Sequence, residues 1–423
     1  MRLPRLRAGM KQQISAPVRT ATTGAQRGGQ SSIGLMTDSP GEAARFLTRN
    51  AVQALPQGEL ERQLAKGRPL RVKLGVDPTT PDIHLGHTVV LRKLREFQDL
   101  GHTVVLIVGD YTARVGDPSG RSATRPQVDP AEIDRNAETY EQQAFKVLDR
   151  DRTEVRRNGE WLDMPMEDLF SLARTSTVAQ LLERDDFSRR YAGGQPISIL
   201  ELLYPLLQGY DSVAIQSDVE LGGTDQSFNL LLAREIQKAY GVEPQSMLTM
   251  PILPGIDGLQ KMSKSLDNYV GVDQPPEEMF GKLMRVPDDA MPVYYELLLD
   301  EAPQPDPREA KRHMAYALTA RYHGDQAAGG ARDRFDTLHV RRELPEEIDE
   351  FAFSADNGEV HIPALLADAF GLSRSEGRRL LAQGGVKLDG TELDESRLDL
   401  PADELDGVVL QVGKRRFKRL RKR

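Results

Sequence analysis

The sequence predicts an α/β fold with a parallel sheet, followed by a helical region and a small α+β module. Residues 71–76 and 103–108 are β-prone and mostly apolar, as buried parallel strands are. Between them, apolar residues recur at helical spacing from Val89 to Leu100, and Gly101 ends the run. Strand, helix and strand in this order make a βαβ unit, so the first large domain is predicted to have a Rossmann-like sheet.

Length and composition are those of a globular protein with several domains. The chain has 423 residues, of which 39% are hydrophobic and 28% charged. No apolar run approaches the roughly 20 residues that span a bilayer, so no membrane insertion is expected. Because the chain has no cysteine, disulfides, thiolate metal sites and cysteine nucleophiles are excluded, and a cytoplasmic location is predicted.

Residues 1–35 are predicted to be a disordered N-terminal extension. They include basic but no acidic residues, much Ser, Thr, Gln and Gly, and no sustained apolar periodicity. An organellar transit peptide is one interpretation of this stretch. The other is a start codon assigned too far upstream, with Met10 or Met36 instead of Met1 as the true start.

Beyond the extension, changes in composition and periodicity predict four segments. Residues 120–190 are charged and mixed, which indicates an insertion into the sheet domain. The segment from residue 360 has its own pattern of two short helices and a hairpin turn at Asp389-Gly390. The predicted segments are a sheet domain with the insertion (36–270), a helical domain (271–345), a linker (346–358) and an α+β module (359–423).

The turn after the first strand of the βαβ unit, "KLGVDPTTPDIHLGH", places His84 and His87 at the start of the crossover helix. Unpaired N–H groups and the helix dipole favour an anion there, so the histidines are suited to meet a phosphate. Gly86 would let a nucleotide lie against the backbone. The alternatives are that the two histidines bind a metal ion or that they bind no ligand at all.

"LLYPLLQGYD" places three polar side chains, Tyr204, Gln208 and Asp211, on one face of an otherwise apolar helix. Burying them is costly unless partners exist, and a polar ligand would be such a partner. In the alternative interpretation, Tyr204 packs in the core while the other two are solvated.

Two further motifs follow along the chain. "GGTDQ" opens a helix with Thr224 as N-cap and Asp225 in the first turn, and its glycine pair would let a ligand approach the backbone. "KMSKS" follows "PGIDG" on a loop, where Lys261 and Lys264 are spaced to gather around a polyphosphate. The alternative for GGTDQ is that it only caps the helix. The alternative for KMSKS is a solvated loop without a ligand. No G-x-x-x-x-G-K-[ST] motif is present.

In this chain order, the motifs resemble those of the class I aminoacyl-tRNA synthetases, and specifically of the bacterial tyrosyl-tRNA synthetases. HLGH is similar to the family's HIGH motif, and KMSKS matches letter for letter. "GDPSG" and "LLQGYD" followed by "GGTDQ" distinguish the tyrosine from the tryptophan enzymes. The resemblance covers about residues 38–423. It implies a Rossmann-like catalytic domain, a helical anticodon-binding domain and an S4-like RNA-binding domain at the C-terminus.

The resemblance also implies the activity and partners. Tyrosine would be activated with ATP to tyrosyl adenylate and transferred to tRNA(Tyr), with Mg²⁺ sharing the phosphate charge in a homodimeric enzyme. Asp117 would hold the substrate's α-amino group beside Tyr204 and Gln208, Gln226 would lie near the amino acid, and Asp211 would accept a hydrogen bond from the phenol. The residues implied to contact ATP are Thr79, His84, Gly86, His87, Gly223, Asp225, Lys261 and Lys264.

One position departs from the family pattern. Many relatives carry a tyrosine at the start of Y-x-G-x-[DE]-P that hydrogen bonds the substrate phenol, whereas this chain has Lys73. We expect Lys73 to donate to the phenol oxygen and to pair with Asp211, because a carboxylate alone would be a costly buried charge. The alternative is that Lys73 points elsewhere.

The C-terminal end of the chain is strongly basic. The formal net charge is −8, yet "GKRRFKRLRKR" is almost entirely cationic, which indicates a polyanion contact. The residues predicted to contact tRNA phosphates are Arg374, Arg378, Arg379, Lys414, Arg415 and Arg416. A solvated basic tail is the alternative there. For the whole chain, a tryptophan enzyme, another nucleotidyltransferase and a non-catalytic RNA-binding protein are the alternatives left open.

Overall fold

The structure is a computed structural model that describes residues 39–78, 82–117, 129–341, 348–355, 357–393, 396–413 and 416–423. The predicted extension over residues 1–35 lies outside these described residues, as do Thr79, Lys414 and Arg415. Within the described part of the chain, no helix combines the length and the apolar character that crossing a membrane requires.

A six-stranded sheet forms the centre of the first domain. Its strands are β1 (Gln53–Leu55), β2 (Arg71–Val76), β3 (Thr103–Val108), β4 (Thr153–Arg157), β5 (Val219–Gly223) and β6 (Ser246–Met250). Their order is β1-β6-β5-β2-β3-β4, and all neighbours are parallel except β1 and β6. The predicted α/β class and both predicted strands are confirmed. The direction of strand addition reverses between β2 and β5, where open α/β sheets bind ligands.

Eleven helices are described in this part of the chain. They are α1 (Pro40–Leu47), α2 (Glu59–Leu64), α3 (Leu85–Asp99), α4 (Thr112–Val115), α5 (Pro130–Ala144), α6 (Gly159–Leu162), α7 (Met166–Ala173), α8 (Val178–Leu181), α9 (Asp185–Ala192), α10 (Ile199–Ala214) and α11 (Ser227–Ala239). The predicted crossover helix is confirmed as α3. Helices α7 and α8 are separate, because Thr177 starts α8 with a capping box.

Four more helices follow, and they share their core with the sheet. They are α12 (Pro276–Leu283), α13 (Met291–Tyr294), α14 (Pro307–His323) and α15 (Asp325–Asp336). Phe280, Tyr295 and Leu318 are buried in the same apolar cluster as Leu94 and Leu248 of the sheet domain. The helical region therefore packs directly against the sheet domain through a continuous core.

The C-terminal segment builds a separate core. Its elements are β7 (Glu350–Phe353), β8 (Glu359–His361), α16 (Ile362–Phe370), α17 (Arg374–Ala382), β9 (Val386–Leu388), β10 (Thr391–Glu392), β11 (Asp399–Pro401), α18 (Ala402–Leu405), β12 (Val409–Val412) and β13 (Arg416–Lys422). Five strands form a sheet in the order β10-β9-β12-β13-β7. The predicted hairpin turn is confirmed, because Asp389 and Gly390 have φ of 45° and 81° between antiparallel β9 and β10.

Helices α10 and α11 pack closely because α10 has a glycine at the contact. A Cβ atom on Gly209 would lie 2.5 Å from Ile236 Cδ1 and 3.2 Å from Ala233 Cα. The close approach matters for the site, since α10 carries the predicted polar face and continues through Pro205 to Ala214.

We predict that Gly209→Ala destabilises the protein although alanine is the better helix former. The gain in helix propensity is about 1 kcal/mol, whereas overpacking a core costs about 1–3 kcal/mol, so a net loss of about 1 kcal/mol is expected. Gly330→Ala is the matched control, because Gly330 lies in α15 with nothing within 4 Å of its Cβ position. Urea unfolding followed by circular dichroism measures both, and a Gly209→Ala midpoint equal to wild type would contradict the prediction.

Candidate functional site

A cavity of about 470 Å³ opens at the carboxyl ends of β2 and β5. The HLGH turn, the polar face of α10, the GGTDQ turn and the KMSKS loop all contribute to its wall. The predicted site residues that line it are His84, Gly86, His87, Asp117, Tyr204, Gln208, Asp211, Gly223, Asp225, Gln226, Lys261 and Lys264. Motifs that are far apart in the chain therefore meet around one space.

Tyr204 is buried, and its hydroxyl group is hydrogen bonded in addition to the packing of its ring. Its hydroxyl donates to Asp77 Oδ2 over 2.8 Å, and Asp77 Oδ1 accepts from Thr112 Oγ1 at 2.7 Å. Burial raises the pKa of Tyr204 well above its ordinary value, so the phenol remains a neutral donor. Sequence analysis did not single out Asp77, although it lies in "GVDP" directly after β2.

Asp211 is 3% exposed, so the alternative interpretation of a solvated side chain does not hold for this residue. Its Oδ1 accepts from Trp161 Nε1 at 2.8 Å, and its Oδ2 accepts from Asn158 Nδ2 at 3.5 Å. Burial raises the pKa of Asp211 to about 6, although the Lys73 charge and both donors act in the opposite direction. Trp161, the single tryptophan of the chain, and Asn158 belong to the predicted insertion and were missed.

A hydrogen-bonded network connects the other polar residues of this wall. Gln226 Nε2 donates to Asp117 Oδ2 over 3.0 Å. Asn229 Nδ2 donates to Gln208 Oε1 at 2.8 Å and to Gln226 Oε1 at 3.0 Å. Arg184 approaches Asp117 at 3.6 Å and donates to Asn229 Oδ1 over 3.1 Å. Arg184 and Asn229 therefore orient the predicted amino acid site, and neither was identified from the sequence.

The rings of His84 and His87 stack with their centroids 3.8 Å apart. Gly86 is required by this arrangement, because a Cβ would lie 3.0 Å from two atoms of the His84 ring. Burial lowers the pKa of His84 to about 2 and that of His87 to about 4, with the nearby Lys264 charge adding to both shifts. Both rings are therefore neutral at pH 7. His84 Nδ1 is buried without a hydrogen-bond partner among the described residues.

Asn268 holds the KMSKS loop in shape. Its Nδ2 donates to Lys261 O at 3.1 Å and to Asp257 Oδ2 at 2.8 Å, and its Oδ1 accepts from Ser263 N at 2.8 Å. Gly255 packs against it so closely that a Cβ would lie 2.3 Å from Asn268 Cγ. Gly255 therefore serves the packing of the loop.

The KMSKS loop also connects to the HLGH turn. Leu85 N donates to Val270 O at 2.9 Å, so the start of α3 is tied to the chain that leaves the loop. Lys264 forms an ion pair with Asp82, two residues before His84. The two predicted phosphate-binding motifs are therefore held together by contacts within the protein.

Lys73 is buried, but the prediction that it pairs with Asp211 is wrong. Its Nζ lies 2.9 Å from Glu220 Oε1 and donates to Gln208 O at 2.9 Å and to Ser212 Oγ at 2.8 Å. An ammonium group has three donors, so these partners leave none for the substrate phenol. Lys73 is also absent from the described residues that line the cavity.

The four described residues among those predicted to bind RNA lie on the surface of the C-terminal segment. Arg374, Arg378 and Arg379 are exposed on α17, and the guanidinium of Arg416 lies 5.7 Å from the centre of the Phe370 ring. Part of the basic tail is already paired within the protein. These ion pairs are Lys418 with Asp349, Arg421 with Glu350 and Lys422 with Asp403.

Comparison with known proteins shows the family. The family described as tRNA synthetases class I (W and Y) matches residues 65–340. A tyrosine–tRNA ligase from Oleidesulfovibrio alaskensis is 50% identical over 392 residues, which cover 89% of this chain and 98% of the relative. Another from Thermotoga maritima is 50% identical over 397 residues, covering 90% and 98% respectively.

Solved structures agree in fold. A tyrosyl-tRNA synthetase from Archaeoglobus fulgidus, complexed with L-tyrosine, aligns with a TM-score of 0.58 at 24% identity, over 70% of this chain and 99% of that one. A truncated mitochondrial tyrosyl-tRNA synthetase from Aspergillus nidulans aligns with a TM-score of 0.59 at 21% identity, over 71% and 94%. The two tyrosine–tRNA ligases are 50% identical to the chain over about nine-tenths of its length. The chain therefore belongs to the class I tRNA synthetases and, within them, to the tyrosine–tRNA ligases.

Proposed function

We propose that the chain joins tyrosine to tRNA(Tyr), by forming tyrosyl adenylate from tyrosine and ATP and then passing the tyrosyl group to the terminal adenosine of the tRNA. The observation that carries the proposal is the single cavity in which the polar α10 face meets the HLGH turn and the KMSKS loop. Polar groups suited to an amino acid thus lie beside groups suited to a polyphosphate.

Tyrosine would be recognised at both of its polar ends. Asp117, oriented by Gln226 and Arg184, would bind the α-amino group as a carboxylate. Asp211 would accept the hydrogen bond of the phenol, since Trp161 and Asn158 already hold its carboxylate in place. Phenylalanine would leave this buried acceptor without its partner, and an unsatisfied buried polar group costs about 1–3 kcal/mol.

In the first step the tyrosine carboxylate attacks the α-phosphorus of ATP, the bond between that phosphorus and the bridging oxygen breaks, and pyrophosphate leaves. The carboxylate is already ionised at neutral pH, so no protein base is needed. Catalysis then depends on placing the reactants and stabilising charge on the phosphates. Lys261 and Lys264 would supply positive charge, and Lys264 has to leave Asp82 to do so.

His84 and His87 would act on the phosphates as neutral hydrogen-bond donors. Their burial disfavours the charged form, so the positive charge in the cavity comes from the KMSKS lysines and not from the histidines. His84 Nδ1 has no protein partner among the described residues and would find one in a phosphate oxygen. Thr79, which lies outside the described residues, and the backbone at Gly86, Gly223 and Asp225 would complete the ATP site.

Mg²⁺ would accompany ATP. Within the described ranges, no group of three or more His, Asp or Glu side chains is placed to hold a metal ion. The described side chains do not form a metal cage of their own, so Mg²⁺ would be held mainly by the phosphates, as is usual for this ion.

In the second step a ribose hydroxyl of the terminal adenosine attacks the activated carbonyl, the ester bond forms and AMP leaves. Capture of the tRNA would use the exposed arginines of α17 and Arg416, together with Lys414 and Arg415 beyond the described residues. Binding through phosphates should fall steeply with added salt. A cytoplasmic location fits both this role and a chain without cysteine.

The chain is further proposed to act as a homodimer. Helix α7 packs on α10, and both present large apolar side chains to solvent: Met166, Phe170, Ile199 and Leu200. Ile199 is 78% exposed. An apolar surface of this kind is typical of a protein interface, and a second copy of the chain would cover it.

The proposed activity is tested by amino-acid-dependent exchange between ATP and labelled pyrophosphate without tRNA. We expect exchange with tyrosine but not with tryptophan or phenylalanine. Asp211→Ala should lower the kcat/KM for tyrosine roughly 10- to 100-fold, because a hydrogen bond to a charged group contributes about 1.5–3 kcal/mol. Asp163→Ala, at an exposed position, is the control. Exchange driven by tryptophan, or by none of the three, would refute the proposal.

The charge state of the two histidines is open to a direct measurement. In protein labelled with ¹³C at histidine Cε1, the resonances of His84 and His87 should not titrate between pH 5.5 and 8, roughly the range around the ordinary histidine pKa of about 6.5. His84→Asn and His87→Asn variants assign the signals, and the same resonances in urea provide the unfolded reference. A titration step near pH 6.5 in the folded protein would contradict the lowered pKa values.

The proposed dimer surface predicts that Ile199→Asp produces monomers. A buried carboxylate at the interface would have no partner, so its desolvation would oppose association. Light scattering gives the mass in solution. Leu259→Asp is the control, because Leu259 is 89% exposed and lies on the KMSKS loop. A dimer that persists in Ile199→Asp, or a wild-type monomer, would contradict the assignment.

A further inference from the structure

A buried ion pair between Lys73 and Glu220, which was not predicted from the sequence, lies beside the cavity. Lys73 and Glu220 are directly opposite each other in the parallel pairing of β2 with β5, and their side chains are 0% and 1% exposed. Glu220 also accepts from Ser212 Oγ at 3.2 Å and from Gln245, so each charge is surrounded by protein partners. Only Glu220 of the pair reaches the cavity wall.

Stability alone does not account for such a pair. Removing two charges from water costs several kcal/mol for each ion, and apolar residues of similar size are often equally stabilising or better. The contacts of Lys73 indicate another role. Two of its three partners, Gln208 O and Ser212 Oγ, belong to α10, so the ammonium group connects that helix to the central strands β2 and β5 of the sheet.

The connected turn of α10 is the one that carries the predicted phenol acceptor. Asp211 lies between Gln208 and Ser212 in the chain, and the Gln208 side chain continues the network to Asn229. A shift of this turn would move the Asp211 carboxylate relative to its two hydrogen-bond donors. These are Trp161, which lies in α6, and Asn158, which directly precedes α6. The position of Asp211 therefore depends on the partners of Lys73.

We propose that the Lys73–Glu220 pair is a positioning device for tyrosine recognition, which fixes the α10 turn bearing Gln208 and Asp211 instead of contacting the phenol. The assignment rests on the proposed function, because it presumes that Asp211 binds the phenol. The phenol of tyrosine would then be recognised by residues of α10 and the insertion. Lys73 of β2 would act by fixing the position of α10.

The pair also acts on Asp211 through its charges. The Lys73 ammonium favours the ionised carboxylate and Glu220 opposes it, while Trp161 and Asn158 donate to its oxygens. Tyr204, Asp77 and Asp117 are the other titratable groups that line this wall. Loss of the Lys73 charge should therefore raise the pKa of Asp211, so that the carboxylate becomes protonated at a higher pH.

The test is Lys73→Met, measured by tyrosine-dependent pyrophosphate exchange. We expect the KM for tyrosine to rise roughly 10- to 100-fold, as displacements of about 1 Å at a site can cause, with the KM for ATP unchanged. The acidic limb of the tyrosine kcat/KM profile should move to higher pH. Lys93→Met is the matched control, because Lys93 is also buried and paired with a glutamate, Glu96, but lines a different cavity.

A second variant separates positioning from folding. In Lys73→Met/Glu220→Gln no buried charge is left unpaired, so stability should recover towards wild type while the KM for tyrosine stays raised. A folded Lys73→Met with an unchanged KM for tyrosine, or a double variant with a restored one, would overturn the proposal. If wild-type protein shows no tyrosine-dependent exchange, the proposed function fails instead, and the two failures are thereby distinguished.

Discussion

The parallel pairing of β2 with β5 is the constraint on which the rest of the site depends. The pairing joins strands that lie far apart in the chain and sets their carboxyl ends side by side. The chain leaving β2 forms the HLGH turn, and the chain leaving β5 forms the GGTDQ turn, so groups for a polyphosphate and for an amino acid reach one cavity. The direction of strand addition reverses at this same pairing, which leaves the crevice open.

Much of the fold and part of the site could be predicted because the signals are local. Apolar runs mark β2 and β3, helical spacing marks α3, and the polar residues of α10 recur on one face. Asp77, Asn158, Trp161 and Arg184 could not be predicted in the same way. They lie in turns or in the insertion, without periodicity, and only tertiary packing brings them against Tyr204, Asp211 and Asp117.

Burial also changes what the predicted residues can do. Sequence spacing placed two histidines where a phosphate would bind, but spacing carries no information about their charge. Enclosure by the HLGH turn and the KMSKS loop keeps both rings neutral, so charge and hydrogen bonding are divided between two motifs. On the proposed function, the lysines of the loop that Asn268 shapes would supply positive charge. The histidines at the start of α3 would supply hydrogen bonds of fixed direction.

Lys73 shows how a departure from the family pattern can be accommodated by the surrounding protein. A buried ammonium needs three acceptors, and the protein supplies all of them from Glu220, Gln208 and Ser212. Had one been missing, the third donor could have reached a substrate, as the sequence led us to expect. Because the set is complete, β2 has no donor left at this position for a phenol. On the proposed function, recognition of the phenol would then come from Asp211, and Lys73 would act on it through the helix that holds it.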